Sequence, residues 1–135
     1  MAHRTADELE AALGHIRQAP ADGGRVDLVV RRPATGEREV LAEGPLDLVE
    51  GLVGDNCPTR GSKHTPDGSA HPDMQLNVMN ARVSRFVAVD PERRALAGDQ
   101  LHVDLDLSQA NVPPGTRLAL GSAVIEVTEQ PHTGC

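Results

Sequence analysis

The sequence predicts a single domain that is mainly β with short helices. A chain of 135 residues is the size of one domain and can bury a core without disulfide staples. From residue 26 onward, short runs rich in Val, Leu and Ile alternate with turns that contain Gly and Pro, which is the pattern of strands. Helix signals occur in two stretches, within 1–20 and after Asn80. We therefore expect one domain over 1–135, with an N-terminal helix in 1–20 and a β-rich body over 26–135.

The N-terminal helix is indicated by its first turn and by its apolar spacing. Thr5 and Glu8 fit the capping box, in which an N-cap Thr is followed three residues later by Glu. Apolar residues then recur on one helix face, at Leu9, Ala12, Leu13 and Ile16. Pro20 and the pair Gly23 and Gly24 end this pattern, which predicts a helix over about 5–18.

The next segments predict a hairpin followed by an ambiguous stretch. Residues 26–31 form a short β-branched run, 33–36 have turn composition, and 37–42 are again partly apolar. This order is typical of two antiparallel strands joined by a turn. Residues 46–55 are apolar but interrupted by Gly, and the sequence assigns them to neither helix nor strand.

The second half of the chain predicts two strands, a helix and a final hairpin. Residues 75–79 alternate as a strand, and Asn80 is a good N-cap for a short helix that carries Val83, Phe86 and Val87. Residues 101–107 alternate strictly, which predicts a half-buried strand with an exposed polar face, formed by His102, Asp104 and Asp106. The turn at Gly121 and Ser122 predicts a tight hairpin at the C-terminal end.

Charge and composition exclude several classes of protein. The 13 Lys and Arg against 20 Asp and Glu give a net charge of −7, and the chain has no Trp or Tyr, so neither a nucleic acid nor an anionic membrane is an expected partner. No apolar run approaches the ~18 residues of a membrane span, and the first residues carry no signal-peptide pattern. Cys57 and Cys135 are too few for a disulfide scaffold. We expect a cytoplasmic protein with free thiols.

The long polar segment 55–73 is the first candidate for function, because a loop of this length in a small domain is usually functional or disordered. Arg60 and Lys63 suggest a basic pocket for a phosphate or a sulfate. A zinc site would need Cys57 and two histidines of the loop, but the spacing does not match the usual zinc patterns. An ordinary solvated loop remains the third interpretation.

Cys135 is the second candidate. It follows a predicted strand in the segment Pro-His-Thr-Gly-Cys, where a turn would lift its thiol away from the sheet. His132 lies close enough in sequence to help to stabilise a thiolate. A lone Cys near a His is also often inert, so the residues alone leave its reactivity open.

Several stretches, taken in order, resemble the MOSC domain, which is named after the C-terminal domain of molybdenum cofactor sulfurase. The resemblance covers roughly 26–135 and rests on 51–55 (GLVGD), 74–83 (MQLNVMNARV), 96–101 (LAGDQL), 104–107 (DLDL), 114–118 (PGTRL), 121–128 (GSAVIEVT) and 131–135 (PHTGC). The ordered series is specific, whereas any single stretch is not.

The resemblance implies a β-barrel fold and a role for Cys135, which matches the single important cysteine of the family. That cysteine either carries sulfur or ligates molybdenum, so the chain would be a sulfur transferase or a component of a molybdenum-dependent reductase. In the second case we expect Arg60, Lys63 and Arg82 near the phosphate of the molybdenum cofactor. A sulfur donor or a redox protein is the expected partner. Pyridoxal phosphate is not expected, because Lys63 is the only lysine and lies in an irregular loop.

Members of the family continue past the cysteine, whereas this chain does not. Either the chain was shortened there or a second chain supplies the missing wall of the barrel. The expected consequence is an incomplete barrel with an open strand edge, which favours a homodimer. The alternative function is a non-catalytic interaction module of the same fold, which would use that edge to recruit a partner.

Overall fold

The computed structural model describes residues 3–56, 65–69 and 71–130. Helix and strand account for 25% and 24% of the structure, so the fold is mixed α/β and the expectation of a mainly β chain is only loosely met. In the described part of the chain, three small sheets are present and they do not close into a barrel. The strands are two to seven residues long, and an unpredicted 3-10 helix over Pro91–Ala97 adds to the helical content.

The N-terminal helix, α1 (Ala6–Arg17), confirms the predicted capping box. The Thr5 side chain accepts a hydrogen bond from the Glu8 backbone N–H at 3.2 Å. None of its residues is fully buried, so the helix lies on the surface of the protein. Instead, Arg4 places its guanidinium over the ring of Phe86 at 4.3 Å and donates to the Phe86 carbonyl, which ties the start of α1 to the second helix.

A four-stranded sheet forms the centre of the molecule. Its strands are β1 (Arg25–Arg31), β2 (Glu39–Leu41), β5 (Val78–Asn80) and β6 (Leu101–Asp104), in the order β2-β1-β6-β5. β1 is antiparallel to β2 and to β6, which confirms the predicted hairpin, and β5 runs parallel to β6. Val30, Leu101 and Val103 are buried in this sheet, so the core lies along β1 and β6.

The second helix, α2 (Ala81–Ala88), begins at the predicted N-cap. The Asn80 side chain accepts from the backbone N–H groups of Arg82 and Val83, at 2.8 Å and 3.1 Å. The strand that precedes it is shorter than the sequence predicted and is displaced towards Asn80, because residues 72–74 form a 3-10 helix and 75–77 connect it to β5.

Strand β6 corrects the prediction of a half-buried strand. Leu101, His102 and Val103 are all buried, and His102 lies on the face that the sequence pattern assigned to solvent, because α2 packs against β6 there and places Ser84 beside the imidazole. Asp104 is also not a free surface charge, since its carboxylate accepts a hydrogen bond from Arg82 Nε at 2.8 Å. The alternating pattern located the strand but assigned its second face wrongly.

Two small hairpins complete the fold. The unassigned segment 46–55 contains β3 (Leu46–Asp47) and β4 (Gly51–Leu52), and the C-terminal hairpin consists of β7 (Arg117–Leu120) and β8 (Ala123–Glu126), as predicted. Gly51 has a φ of 76° and lies against the Gln75 carbonyl, where an added Cβ would come within 2.9 Å of the oxygen. A glycine is therefore needed where this hairpin passes the chain before β5.

Candidate binding cleft

An open cleft of about 900 Å³ lies between the β3–β4 hairpin, the chain before β5 and the β7–β8 hairpin. Its apolar lining comes from segments far apart in sequence and includes Leu46, Met74, Leu76, Val78, Leu107, Val112, Leu118, Ile125 and Val127. A cleft of this volume, mostly apolar with a few polar groups, has the properties of a small-molecule site.

The β7–β8 hairpin forms one wall because its side chains alternate. Leu118 and Ile125 are cross-strand partners and are partly buried, whereas the neighbouring Arg117 and Glu126 are exposed. Since successive residues of a strand point to opposite faces, the apolar face of the hairpin is turned towards the rest of the protein.

The opposite wall is held in place by hydrogen bonds to backbone carbonyls. The Gln75 side-chain amide donates to the carbonyls of Leu48 and Val49, at 2.8 Å and 3.1 Å, and so ties the β3–β4 turn to the chain before β5. The Thr128 hydroxyl donates to the Asp73 carbonyl at 3.0 Å and joins the end of the C-terminal hairpin to the 3-10 helix Pro72–Met74.

The polar part of the lining is acidic. Four acidic residues, Asp47, Asp73, Glu126 and Glu129, are among those that line the cleft, and no Arg, Lys or His belongs to the described residues that line it. Backbone N–H groups of Glu50 and Val49 donate to the Asp47 carboxylate, and these hydrogen bonds hold the pKa of Asp47 below its ordinary value. At neutral pH the cleft therefore carries negative charge.

Arg82 is the one predicted site residue that lies within the described part of the chain. Its Nε pairs with Asp104, and its Nη1 donates to the His15 carbonyl at 2.7 Å, so that it connects β6 to the last turn of α1. It is not among the residues that line the cleft. Cys135, His132, Arg60 and Lys63 lie outside the described residues, as do Cys57 and His64 of the considered zinc site.

His71 is the remaining histidine of the polar segment, and its Nδ1 accepts from the Asp73 backbone N–H at 3.1 Å. Over 3–56, 65–69 and 71–130, no group of three or more His, Cys, Asp or Glu side chains is placed to hold a metal ion. Also within those ranges, no helix has both the length and the apolar character needed to cross a membrane.

The sequence did not predict a buried polar network beside β6. His102 Nδ1 lies 2.8 Å from Ser84 Oγ, Arg94 Nε donates to the same hydroxyl at 3.1 Å, and Arg94 Nη2 pairs with Asp27 at 2.7 Å. Arg85 also pairs with Asp27. The network joins β1, α2, the 3-10 helix Pro91–Ala97 and β6, and none of the residues that line the cleft belongs to it.

Burial and charge set the protonation states of this network. Burial, together with the positive charge of Arg94, lowers the pKa of His102 against weaker opposing effects of Asp99 and Asp27, so the imidazole is neutral at pH 7. Burial alone would raise the pKa of Asp27, but hydrogen bonds from Arg85 and Arg94 outweigh it and hold the pKa below its ordinary value.

The lowered pKa of His102 predicts a loss of stability in mild acid. Because the unfolded chain takes up the proton near pH 6.5 and the folded protein does so only at lower pH, the free energy of unfolding should fall as pH drops below about 6.5, by up to ~1.4 kcal/mol per pH unit. We expect urea denaturation between pH 7.5 and pH 5.5 to show a flatter dependence in His102→Gln than in the parent protein. The exposed His15→Gln change is the control and should keep the parent slope. Equal slopes in all three proteins would contradict the assignment.

The fold and the cleft thus define a small α/β protein with an acidic, mostly apolar cleft in its described part. Comparisons of the chain with protein-family models, with curated proteins and with solved structures found no match.

Proposed function

We propose that this chain is a MOSC-type binding module that carries sulfur on Cys135 and uses the cleft to bind a ligand. The observation that carries the proposal is the course of the chain: Gln130, the last residue described, lines the cleft. Cys135 follows five residues later, which is at most about 18 Å of fully extended chain. The five residues are therefore long enough for the Cys135 thiol to reach a ligand in the cleft, and this supports the proposal.

The molybdenum cofactor fits the described residues poorly. The phosphate of that cofactor calls for Arg or Lys, whereas the described lining offers four carboxylates and no cation. The Arg82 guanidinium already donates hydrogen bonds to Asp104 and to the His15 carbonyl, so it is not free to bind a phosphate. Arg60 and Lys63 lie outside the described residues, so their expected place near the cofactor phosphate stays a prediction. The negative charge of the cleft therefore favours sulfur carrying over binding of the molybdenum cofactor.

The chemistry of a sulfur carrier needs no redox cofactor. The Cys135 thiolate attacks the terminal sulfur of a donor persulfide, a new S–S bond forms in Cys135–S–SH, and the donor's S–S bond breaks. The donor leaves as a thiolate, so the sulfane sulfur and its proton move from one thiol to another without an external oxidant. His132 would favour the attacking thiolate if it is protonated nearby.

The two cysteines make this proposal testable within one chain. The protein is treated with a small-molecule persulfide, desalted and analysed by intact mass spectrometry. Cys57→Ser should gain one sulfur atom and Cys135→Ser should gain none, each variant serving as the control for the other. Equal labelling of both variants, or labelling of Cys57 only, would contradict the proposal, and stoichiometric molybdenum in freshly isolated protein would favour the cofactor instead.

The sheet edges favour a second candidate function, a non-catalytic interaction module that pairs with a second copy. In the described part of the chain, β2 and β5 each have a strand on one side only. Unpaired edges offer free N–H and C=O groups to another strand, and Val40 on β2 is also largely exposed.

We expect sedimentation to show a concentration-dependent dimer that Val40→Lys weakens, because a lysine on an edge strand opposes strand pairing. Val87→Lys is the matched control, since Val87 is similarly exposed but lies on α2. A monomer at every concentration would rule out this candidate, and equal effects of the two lysines would place the interface elsewhere.

A further inference from the structure

The composition of the cleft lining restricts the charge of a ligand. Leu76, Val78 and Ile125 offer an apolar surface to a ligand body, while the acidic residues described above supply the charge. An anionic ligand would lose hydration and meet like charge, whereas a neutral apolar ligand would make no use of the carboxylates. A cation with an apolar body matches both parts of the lining.

The carboxylates differ in how far they are already neutralised. Glu126 lies 3.4 Å from Arg117, but both side chains are largely exposed, and an exposed pair of this kind contributes little. Asp47, Asp73 and Glu129 have no cationic partner among the described residues. Asp47 is furthermore held by the N–H groups of the turn, which fixes its position and keeps it ionised. None of these three acidic residues is therefore neutralised by a cation among the described residues.

We propose that the cleft binds a small organic cation, in which an ammonium, amidinium or guanidinium group is attached to an aliphatic or aromatic body. The volume of about 900 Å³ lies within the range of roughly 300–1,000 Å³ that small-molecule sites occupy. Backbone carbonyls at Leu48 and Asp73 already accept hydrogen bonds at the walls of the cleft and can accept from an N–H donor as well. The inference rests on the proposed function only in taking the cleft as a binding site.

The test uses octylammonium as the probe and octanoate as its matched anion. Binding is measured by calorimetry on the 135-residue chain that carries Cys135→Ser, so that the result does not depend on Cys135 chemistry. We expect octylammonium to bind about tenfold or more tightly than octanoate at low salt, and the difference to shrink near 1 M salt, where the Debye length is about 3 Å.

Two methionines locate the probe. Met74 lines the cleft, whereas Met79 lies on β5 outside the lining. In a methyl-labelled sample, octylammonium should shift the Met74 methyl resonance and leave that of Met79 nearly unchanged. Equal shifts at both methionines, or a shift at Met79 alone, would place the probe elsewhere and overturn the inference.

Matched neutralising variants separate a specific site from general attraction to an acidic protein. The triple variant Asp47→Asn, Asp73→Asn and Glu129→Gln should lose most of the preference for octylammonium over octanoate. The control triple variant Glu10→Gln, Glu37→Gln and Glu43→Gln changes the net charge equally at exposed residues outside the cleft, and it should keep that preference.

Equal effects of the two triple variants, or equal binding of the two probes, would overturn the inference. Sulfur transfer to Cys135 is measured separately by mass. Loss of that transfer with intact octylammonium binding would refute the proposed function and leave the inference standing. Intact sulfur transfer without octylammonium binding would refute the inference and leave the proposed function standing.

Discussion

Arg94→Met should lower the free energy of unfolding by about 3 kcal/mol, because it breaks a largely buried ion pair and leaves part of the network unsatisfied. Arg94 is 11% exposed and is hydrogen bonded to both Asp27 and Ser84. Methionine has a similar length and keeps most of the apolar contacts, so the loss reports mainly on the charge. Asp27 keeps Arg85 as a partner, which limits the effect. The measurement is urea denaturation at pH 7.5.

Arg117→Met is the matched control. Arg117 is 77% exposed and faces Glu126 at 3.4 Å, and pairs of this kind are worth about 0–1 kcal/mol. A similar loss in the two variants would mean that the Arg94 network has no special role in stability. A loss confined to Arg94→Met would establish the network as a structural element of the fold.

Leu52→Ala should cost about 3–5 kcal/mol, which is the range for a fully buried leucine in a core that cannot collapse around the cavity. The Leu52 side chain is 0% exposed at the end of β4, and its Cδ1 lies 2.9 Å from the Cβ position that Gly44 lacks. Val29 Cγ1 on β1 lies 2.8 Å from the same position, so Leu52 of the β3–β4 hairpin packs beside the central sheet. We expect thermal denaturation to show the loss as a large drop in midpoint temperature.

The neighbouring hairpin residue Leu48 provides the control for this change. Leu48 is 95% exposed, so Leu48→Ala should change stability by no more than about 0.5 kcal/mol. A large loss in Leu48→Ala, or a small one in Leu52→Ala, would mean that the hairpin packs differently. Octylammonium binding by Leu48→Ala would show in addition whether the cleft tolerates the loss of an exposed apolar residue at its wall.

Local signals in the sequence predicted most of the regular elements. The capping box located α1, the Asn80 N-cap located the start of α2, and turn residues located the β1–β2 and β7–β8 hairpins. Each of these signals acts within a few residues, so a side chain and the backbone group that it satisfies are near each other in the chain. The same reasoning did not resolve β3 and β4, because strands of two residues are too short for a periodic pattern.

The cleft could not be predicted from the sequence. Its lining residues come from the segments 46–51, 72–78, 107–114 and 118–130. No local sequence pattern predicts that these four segments lie next to one another in the fold. The acidic character of the lining was hidden in the same way, since Asp47 at the end of β3 and Glu129 after β8 are far apart in the chain and no local pattern links them. The predicted residues Cys135, His132, Arg60 and Lys63 stay predictions, because they lie outside the described residues.

The sequence by itself determined the N-caps of α1 and α2, the turns of the β1–β2 and β7–β8 hairpins, and the overall acidity of the chain. Only the tertiary structure decided which faces are buried. His102 shows the difference most clearly: alternation along β6 assigned it to solvent, whereas α2 and the 3-10 helix Pro91–Ala97 enclose it beside Ser84 and Arg94. Periodicity records that two faces of a strand differ, but whether the polar face meets water or another element depends on packing between segments distant in the chain.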